Sequence, residues 1–122
     1  MRLYEVIDAR TQVHLVMELC HGKHLFHFIK KRKPEQAIPE AEAAPIFKQI
    51  VSAIAHLHSI NVVHRDLKLE NILINDQKQL NDIKVIDFGF STNCQKDEKL
   101  TTTCGTPHYM CPDLAKKSSY YG

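Results

Sequence analysis

The sequence predicts an α+β fold for this chain of 122 residues. Three observations carry the prediction: strand-like runs at the N-terminus, one long amphipathic helix in the middle, and a second pair of short apolar runs after it. Leu3 to Ile7 and Val13 to Leu19 are strand-like and joined through Asp8 to Gln12, which reads as a hairpin ended by Cys20, His21 and Gly22. His24 to Lys33 reads as a short helix, with Leu25, Phe28 and Ile29 on one face and basic residues and Pro34 closing it. From about Pro39 to His58, Ile46, Phe47, Ile50, Val51, Ile54 and Leu57 keep helical spacing and form one apolar stripe. Pro45 lies inside that helix and predicts a kink or a delayed start, because it removes a backbone donor and crowds the preceding turn. Asn61 to Val63 leads into a polar loop, and Ile72 to Ile74 with Ile83 to Ile86 reads as a second hairpin around the turn Asn75 to Asp82.

Composition bounds the function. With 43% apolar and 25% charged residues the chain reads as one ordinary globular domain with a modest core. A net charge of +2 is too small for a nucleic-acid footprint, and the run Lys30 to Lys33 reads as a solvated helix end. No apolar stretch is long enough to span a bilayer, and Met1 to Glu5 lacks the apolar core of a signal peptide. No nucleic-acid or membrane partner is expected, and the default location is cytoplasmic or nuclear. Cys20, Cys94, Cys104 and Cys111 show no Cys-x-x-Cys spacing and are expected as reduced thiols.

The chemistry concentrates in the second half. His64-Arg65-Asp66-Leu67-Lys68-Leu69-Glu70-Asn71 is followed by Asp87-Phe88-Gly89 and then by Cys104-Gly105-Thr106-Pro107-His108-Tyr109-Met110-Cys111-Pro112-Asp113. Phosphoryl transfer asks a protein to orient a nucleophile and neutralise charge, so it needs an acceptor for a hydroxyl proton and hard oxygen ligands for a cation. Asp66 suits the first role; the Asn71 amide oxygen and the Asp87 carboxylate are ligands of the kind Mg²⁺ prefers. Lys68 supplies a point charge within reach of a transferring phosphate. Gly89 is expected to take the sharp turn after Asp87.

In this order the three motifs resemble the catalytic loop, metal-binding loop and end of the activation segment of eukaryotic protein kinases. The stretches Asp87 to Thr92 and Cys104 to Pro107 are most similar to the calmodulin-dependent and AMP-activated group. The resemblance covers nearly the whole chain and implies an incomplete protein-kinase-like fold: the end of the small lobe and hinge over residues 1–19, and the front of the large lobe with the activation segment over 20–122. It implies ATP and Mg²⁺ as cofactors, protein substrates and an upstream activating kinase. It assigns Asp66 as base, Lys68 as charge stabiliser and marker of Ser/Thr specificity, and Asn71 and Asp87 as metal ligands. Met17 would guard the back of the adenine pocket, the backbone of Glu18 and Cys20 would make the hinge hydrogen bonds, and Leu73 would cover the opposite face of the base. Glu70 would assist nucleotide or substrate binding, and Thr106 would contact Asp66 and Lys68. Arg65 would pair with a phosphate on the activation segment, at Thr102 before its neighbours Thr101 and Thr103; the alternative is an unmodified loop.

Several positions depart from the family pattern. No Gly-x-Gly-x-x-Gly loop, Val-Ala-x-Lys strand or partner glutamate helix is found, so the expectation is a partial catalytic domain that is inactive by itself and exposes apolar faces. It would be either a piece of a longer protein or a natural short product. His24 stands where relatives often carry a ribose-binding carboxylate, and Cys111-Pro112-Asp113 replaces Ala-Pro-Glu. His21, His24 and His27 beside Cys20 have a spacing that suits zinc, but surface or hinge histidines are the preferred reading. His64 reads as support for the catalytic loop. Two functions from different classes follow: a Ser/Thr protein kinase segment, or a truncated, non-catalytic kinase-like interaction module.

Overall fold

The computed structural model describes residues 1–32, 37–75, 82–116 and 119–121. The N-terminal hairpin pairs β1 (Leu3–Ala9) with β2 (Gln12–Met17) in antiparallel register, Ala9 opposite Gln12. The turn is therefore only Arg10 and Thr11; Asp8, Ala9 and Gln12, expected in the loop, are drawn into the ladder. Every residue of both strands is exposed, so the hairpin meets the expectation of uncovered apolar surface.

Chain direction changes at Gly22, where a Cβ would lie 2.6 Å from the Ile74 carbonyl oxygen. Only glycine lets β3 (Lys23–His24) approach β5 (Ile72–Ile74), which in turn pairs with β6 (Ile83–Val85), giving the order β3-β5-β6. His24 thus lies in a strand, opposite Leu73, and the first helix, α1 (Leu25–Lys30), is shorter than its sequence pattern suggests. Lys30 and Arg32 lie over the rings of Phe26 and Phe28, and Arg32 pairs with Glu42, so these two cations are committed to intramolecular contacts. Lys33 and Pro34 lie outside the described residues. The ends of the second hairpin are joined by Asn75 N–H to Asp82 O at 2.9 Å and Asn75 Nδ2 to Asp82 Oδ2 at 2.7 Å; the turn between them lies outside the described residues.

The long helix α2 runs from Glu40 to Ser59 and includes Pro45. Its start is not delayed: Pro39 precedes the first turn, and Glu40 and Glu42 place negative charge where the helix dipole favours it. The predicted single stripe divides. Ile46 is buried and Ile50 packs on the core, whereas Phe47 and Val51 point to solvent. The core is Leu25 of α1, Ile46 of α2, and Ile72 and Ile74 of β5, with Phe28, Ile29, Leu69 and Ile83 around it. One helix face from each side thereby closes on one face of the small sheet, which fixes β5 and the loop before it.

Two short pairings position the loops. β4 (Val62–Val63) pairs with β7 (Thr92–Asn93) and β8 (Lys99–Leu100) with β9 (Tyr120–Tyr121), while α3 (Pro112–Ala115) closes the last motif. Neither pairing was visible in the sequence, where two-residue strands leave no period to read. No helix among the described residues is long and apolar enough to cross a membrane.

Candidate active site

β4 ends where His64 begins, and β7 begins just after Asp87-Phe88-Gly89-Phe90-Ser91, so their pairing places the two loops side by side. His64 is 2% exposed and locks them together: its Nε2 donates to the Ile86 carbonyl at 3.0 Å, and its Nδ1 accepts the Asp66 N–H at 3.3 Å. These bonds select the tautomer with the proton on Nε2. The His64 ring also lies 5.0 Å from that of Phe88, as expected for a supporting histidine.

Asp66 is 4% exposed and is held from three directions. Lys68 Nζ donates to Oδ2 at 2.7 Å, Thr106 Oγ1 donates to Oδ1 at 2.7 Å, and Asn71 Nδ2 reaches Oδ2 at 3.1 Å. Lys68 Nζ also lies 2.9 Å from Thr106 Oγ1, which closes a ring of three side chains. Burial opposes ionisation of Asp66, but the hydrogen bonds from Lys68, Thr106 and Asn71 and the charge on Lys68 outweigh it and hold the carboxyl below its ordinary range. The same contact with Asp66 raises Lys68, aided by the charges on Glu70 and Asp87 against a smaller desolvation. At neutral pH the pair is a carboxylate and an ammonium in direct contact.

Two of the four non-glycine residues with positive φ among the described residues lie at this site. Arg65 and Asp87 adopt φ of 65° and 63°, a region that side chains other than glycine seldom enter. The expected conformational release at Gly89 is instead carried by Asp87; the Gly89 N–H donates to Asp87 Oδ1 at 3.2 Å. Among the described residues Gly105 is the glycine with positive φ, at 102°, and a Cβ there would stand 2.6 Å from the Arg65 carbonyl oxygen. The close approach that delivers Thr106 to Asp66 therefore requires glycine at 105.

The donor set fits a hard cation. Both Asn71 amide hydrogens are spent on Asp66, at its carbonyl oxygen (2.9 Å) and at Oδ2 (3.1 Å), which fixes the amide oxygen as the remaining ligand atom. Asp87 is exposed and engages one carboxylate oxygen with Gly89, leaving the other. A neutral oxygen and a carboxylate from adjoining loops are the sparse protein ligation Mg²⁺ tolerates alongside phosphate and water.

The expected nucleotide contacts are more dispersed. Met17, at the end of β2, lines an apolar cleft of about 540 Å³ with Leu3, Leu15, Leu57, Val85 and Phe88. Leu73 is buried on the face of β5 opposite Ile72 and Ile74 and does not line that cleft. The Glu18 N–H is committed to the Arg2 carbonyl at 2.8 Å, so of the Glu18 backbone groups its carbonyl, approached by the Cys20 thiol at 3.9 Å, is the one left for a base. Glu18 also pairs with Lys84 of β6 and accepts from the Arg2 N–H at 3.0 Å; the Lys84 hydrogen bond is the main cause of its lowered pKa. Glu70 accepts from His24 Nδ1 through its carbonyl and from the Tyr109 hydroxyl at 3.4 Å through its carboxylate. His24 thus braces the catalytic loop. Arg65 Nε donates to the Phe90 carbonyl at 2.6 Å, and Thr102 is exposed with its carbonyl accepting from Tyr120. Among the described residues no group of three or more His, Cys, Asp or Glu side chains converges as a metal cluster. The Lys84–Glu18 and Tyr109–Glu70 contacts escape sequence reading, since each spans 39 residues or more without a shared motif.

Comparison with known proteins agrees with the geometry. The model of the protein kinase domain matches residues 1–122. The chain is 40% identical over 116 residues to serine/threonine-protein kinase plk-2 of Caenorhabditis elegans, covering 95% of this chain and 17% of that protein. It is 43% identical over 119 residues to the SNF-related serine/threonine-protein kinase of Homo sapiens, covering 98% and 15%. It is also 43% identical over 115 residues to calcium-dependent protein kinase 5 of Plasmodium berghei, covering 94% and 20%. The chain therefore spans a fifth or less of the length of these relatives. The α+β architecture, the ordered motifs and the match over residues 1–122 agree: the chain belongs to the protein kinase domain family.

Proposed function

We propose that this chain is the catalytic-loop and activation-segment portion of a Ser/Thr protein kinase, which transfers the γ-phosphoryl group of ATP to serine or threonine hydroxyls of proteins. The observation that carries the reading is the ring of Asp66, Lys68 and Thr106. Asp66 Oδ2 is occupied by Lys68 and Asn71, while Oδ1 receives only Thr106. One acceptor site on Oδ1 thus remains to orient a substrate hydroxyl and receive its proton as the oxygen attacks phosphorus. Lys68, kept charged by Asp66, lies beside that position and offsets the negative charge on the transferring group. Asn71 and Asp87 would hold Mg²⁺, which when bound neutralises phosphate charge. Met17, the Glu18 carbonyl and Cys20 would receive the adenine, and Glu70, tied to Tyr109, would border the protein substrate.

Arg65 and Thr102 form the regulatory part of the proposal. An upstream kinase would place a phosphate on Thr102 or an adjoining threonine, and Arg65 would pair with it, exchanging its present bond to the Phe90 carbonyl for a stronger charge-assisted contact. The deciding experiment is γ-phosphoryl transfer to a protein substrate by the intact protein and its Asp66→Asn variant. Transfer lost with the substitution supports catalysis. No transfer by either protein supports the non-catalytic interaction module instead.

A further inference from the structure

The activation segment is tethered at a point that the proposed chemistry does not use. β8 (Lys99–Leu100) pairs antiparallel with β9 (Tyr120–Tyr121), Leu100 opposite Tyr120 and Lys99 opposite Tyr121. One buried side chain and two side-chain contacts reinforce this small ladder. Leu100 is buried, Lys99 Nζ lies 5.5 Å from the centre of the Tyr121 ring, and the Tyr120 hydroxyl donates to the Thr102 carbonyl at 3.1 Å. The last bond lies beyond the paired residues and fixes the main chain in the middle of the run Thr101-Thr102-Thr103, whose residues are exposed.

From Thr102 the chain has four residues to reach Thr106, which is pinned on Asp66 and Lys68. Four residues span at most about 14 Å when fully extended, so the position of Thr102 limits where Thr106 can stand. Gly105, pressed on the Arg65 carbonyl, leaves little freedom between these anchors. We infer that Tyr120 is a positioning residue for phosphoryl transfer: the β8–β9 clasp and its hydroxyl bond to Thr102 hold the threonine run so that Thr106 stays on Asp66. The inference rests on the catalytic reading above for its effect on rate. The clasp itself stands on the structure alone. It also leaves the side chains of Thr101 to Thr103 open to solvent while their backbone is held, the state in which an extended segment can be offered to a modifying enzyme.

Amide hydrogen exchange and steady-state kinetics on the intact protein, comparing wild type with Tyr120→Phe, test it. Removing the hydroxyl should speed exchange over residues 99–103 roughly fivefold, the equilibrium factor of one ordinary hydrogen bond, and leave the β4–β7 amides of Val62, Val63, Thr92 and Asn93 unchanged. The turnover number should fall roughly tenfold with the KM for ATP unchanged, as expected when a reacting geometry loosens away from the nucleotide. Lys99→Ala, a surface change that keeps the Tyr120 bond, should raise exchange at the same segment by a smaller factor, and it serves if Tyr120→Phe does not fold. Unchanged exchange over residues 99–103 in both variants would overturn the clasp. Faster exchange with an unaltered turnover number would overturn the positioning role. Absence of phosphoryl transfer by wild type would refute the catalytic reading instead, with the exchange result still deciding the clasp.

Discussion

Thr106 Oγ1 donates to Asp66 Oδ1 at 2.7 Å across 40 residues of sequence. This single hydroxyl joins the end of the activation segment to the carboxylate proposed to orient the substrate, and it also lies 2.9 Å from Lys68 Nζ. Thr106→Ala leaves Asp66 and Lys68 bonded only to each other and to Asn71, while Thr106→Ser keeps the hydroxyl. The alanine variant should lose roughly a hundredfold in kcat, and the serine variant should stay within a few-fold of wild type. Steady-state kinetics on the two variants checks this, and equal losses in both would contradict the role given to the hydroxyl.

The Asp66 carboxyl is held below its ordinary range in the folded chain. The folded state therefore binds fewer protons than the unfolded state in the acid range, and stability rises with pH there. The contribution is complete above the unfolded carboxyl value of about 3.9 and is lost as pH falls through the lower folded value. Chemical denaturation between neutral and acid pH should show this slope in wild type and a smaller one in Asp66→Asn. Lys68 runs the other way: its raised value makes its contribution complete below the ordinary lysine range and lost as pH rises through the folded value.

Two glycines are required by contact rather than by flexibility. A Cβ at Gly22 or at Gly105 would sit 2.6 Å from a backbone carbonyl oxygen, of Ile74 and Arg65 respectively. Gly22→Ala and Gly105→Ala should each lower stability by about 1 to 3 kcal/mol, measured by thermal or denaturant unfolding. Gly105→Ala should additionally reduce phosphoryl transfer, because the displaced segment carries Thr106.

If Asn71 and Asp87 hold Mg²⁺ as proposed, transfer depends on the metal. Chelation should abolish transfer, and added Mg²⁺ should restore it. Asp87→Asn should raise the Mg²⁺ concentration for half-maximal rate by at least roughly tenfold, since even outer partners of metal ligands carry that much. An unchanged Mg²⁺ requirement in this variant would remove Asp87 from the metal site.

The sequence was legible where one residue type has one strong use. The order of the motifs carrying Asp66, Lys68, Asn71 and Asp87 announces the protein kinase domain family, and the spacing of Ile46, Ile50 and Leu57 announces a helix. What it hid has physical causes. Phe47 and Val51 fit the helical period as well as Ile46 does, yet they point to solvent, because a period gives a face and not the neighbour that covers it. His24 matched a helix start but was drawn into β3, since pairing with Leu73 and a bond to the Glu70 carbonyl outweigh local propensity. Gly89 looked like the residue that turns the chain, but Asp87 takes the positive φ and holds the Gly89 N–H with its own carboxylate. The pairings β4–β7 and β8–β9 involve two residues a side, too short for any pattern, and only the tertiary structure reveals them.

The central claim is that Asp66, braced by Lys68 and Thr106, directs the γ-phosphoryl group of ATP to serine and threonine hydroxyls. The most direct measurement is label transfer from γ-labelled ATP by the intact protein to three peptides that differ only in carrying Ser, Thr or Tyr, with Asp66→Asn alongside. The account predicts label on the Ser and Thr peptides, none on the Tyr peptide, and a loss of at least about a hundredfold in the variant. Equal labelling of the Tyr peptide, or undiminished transfer by Asp66→Asn, would contradict it.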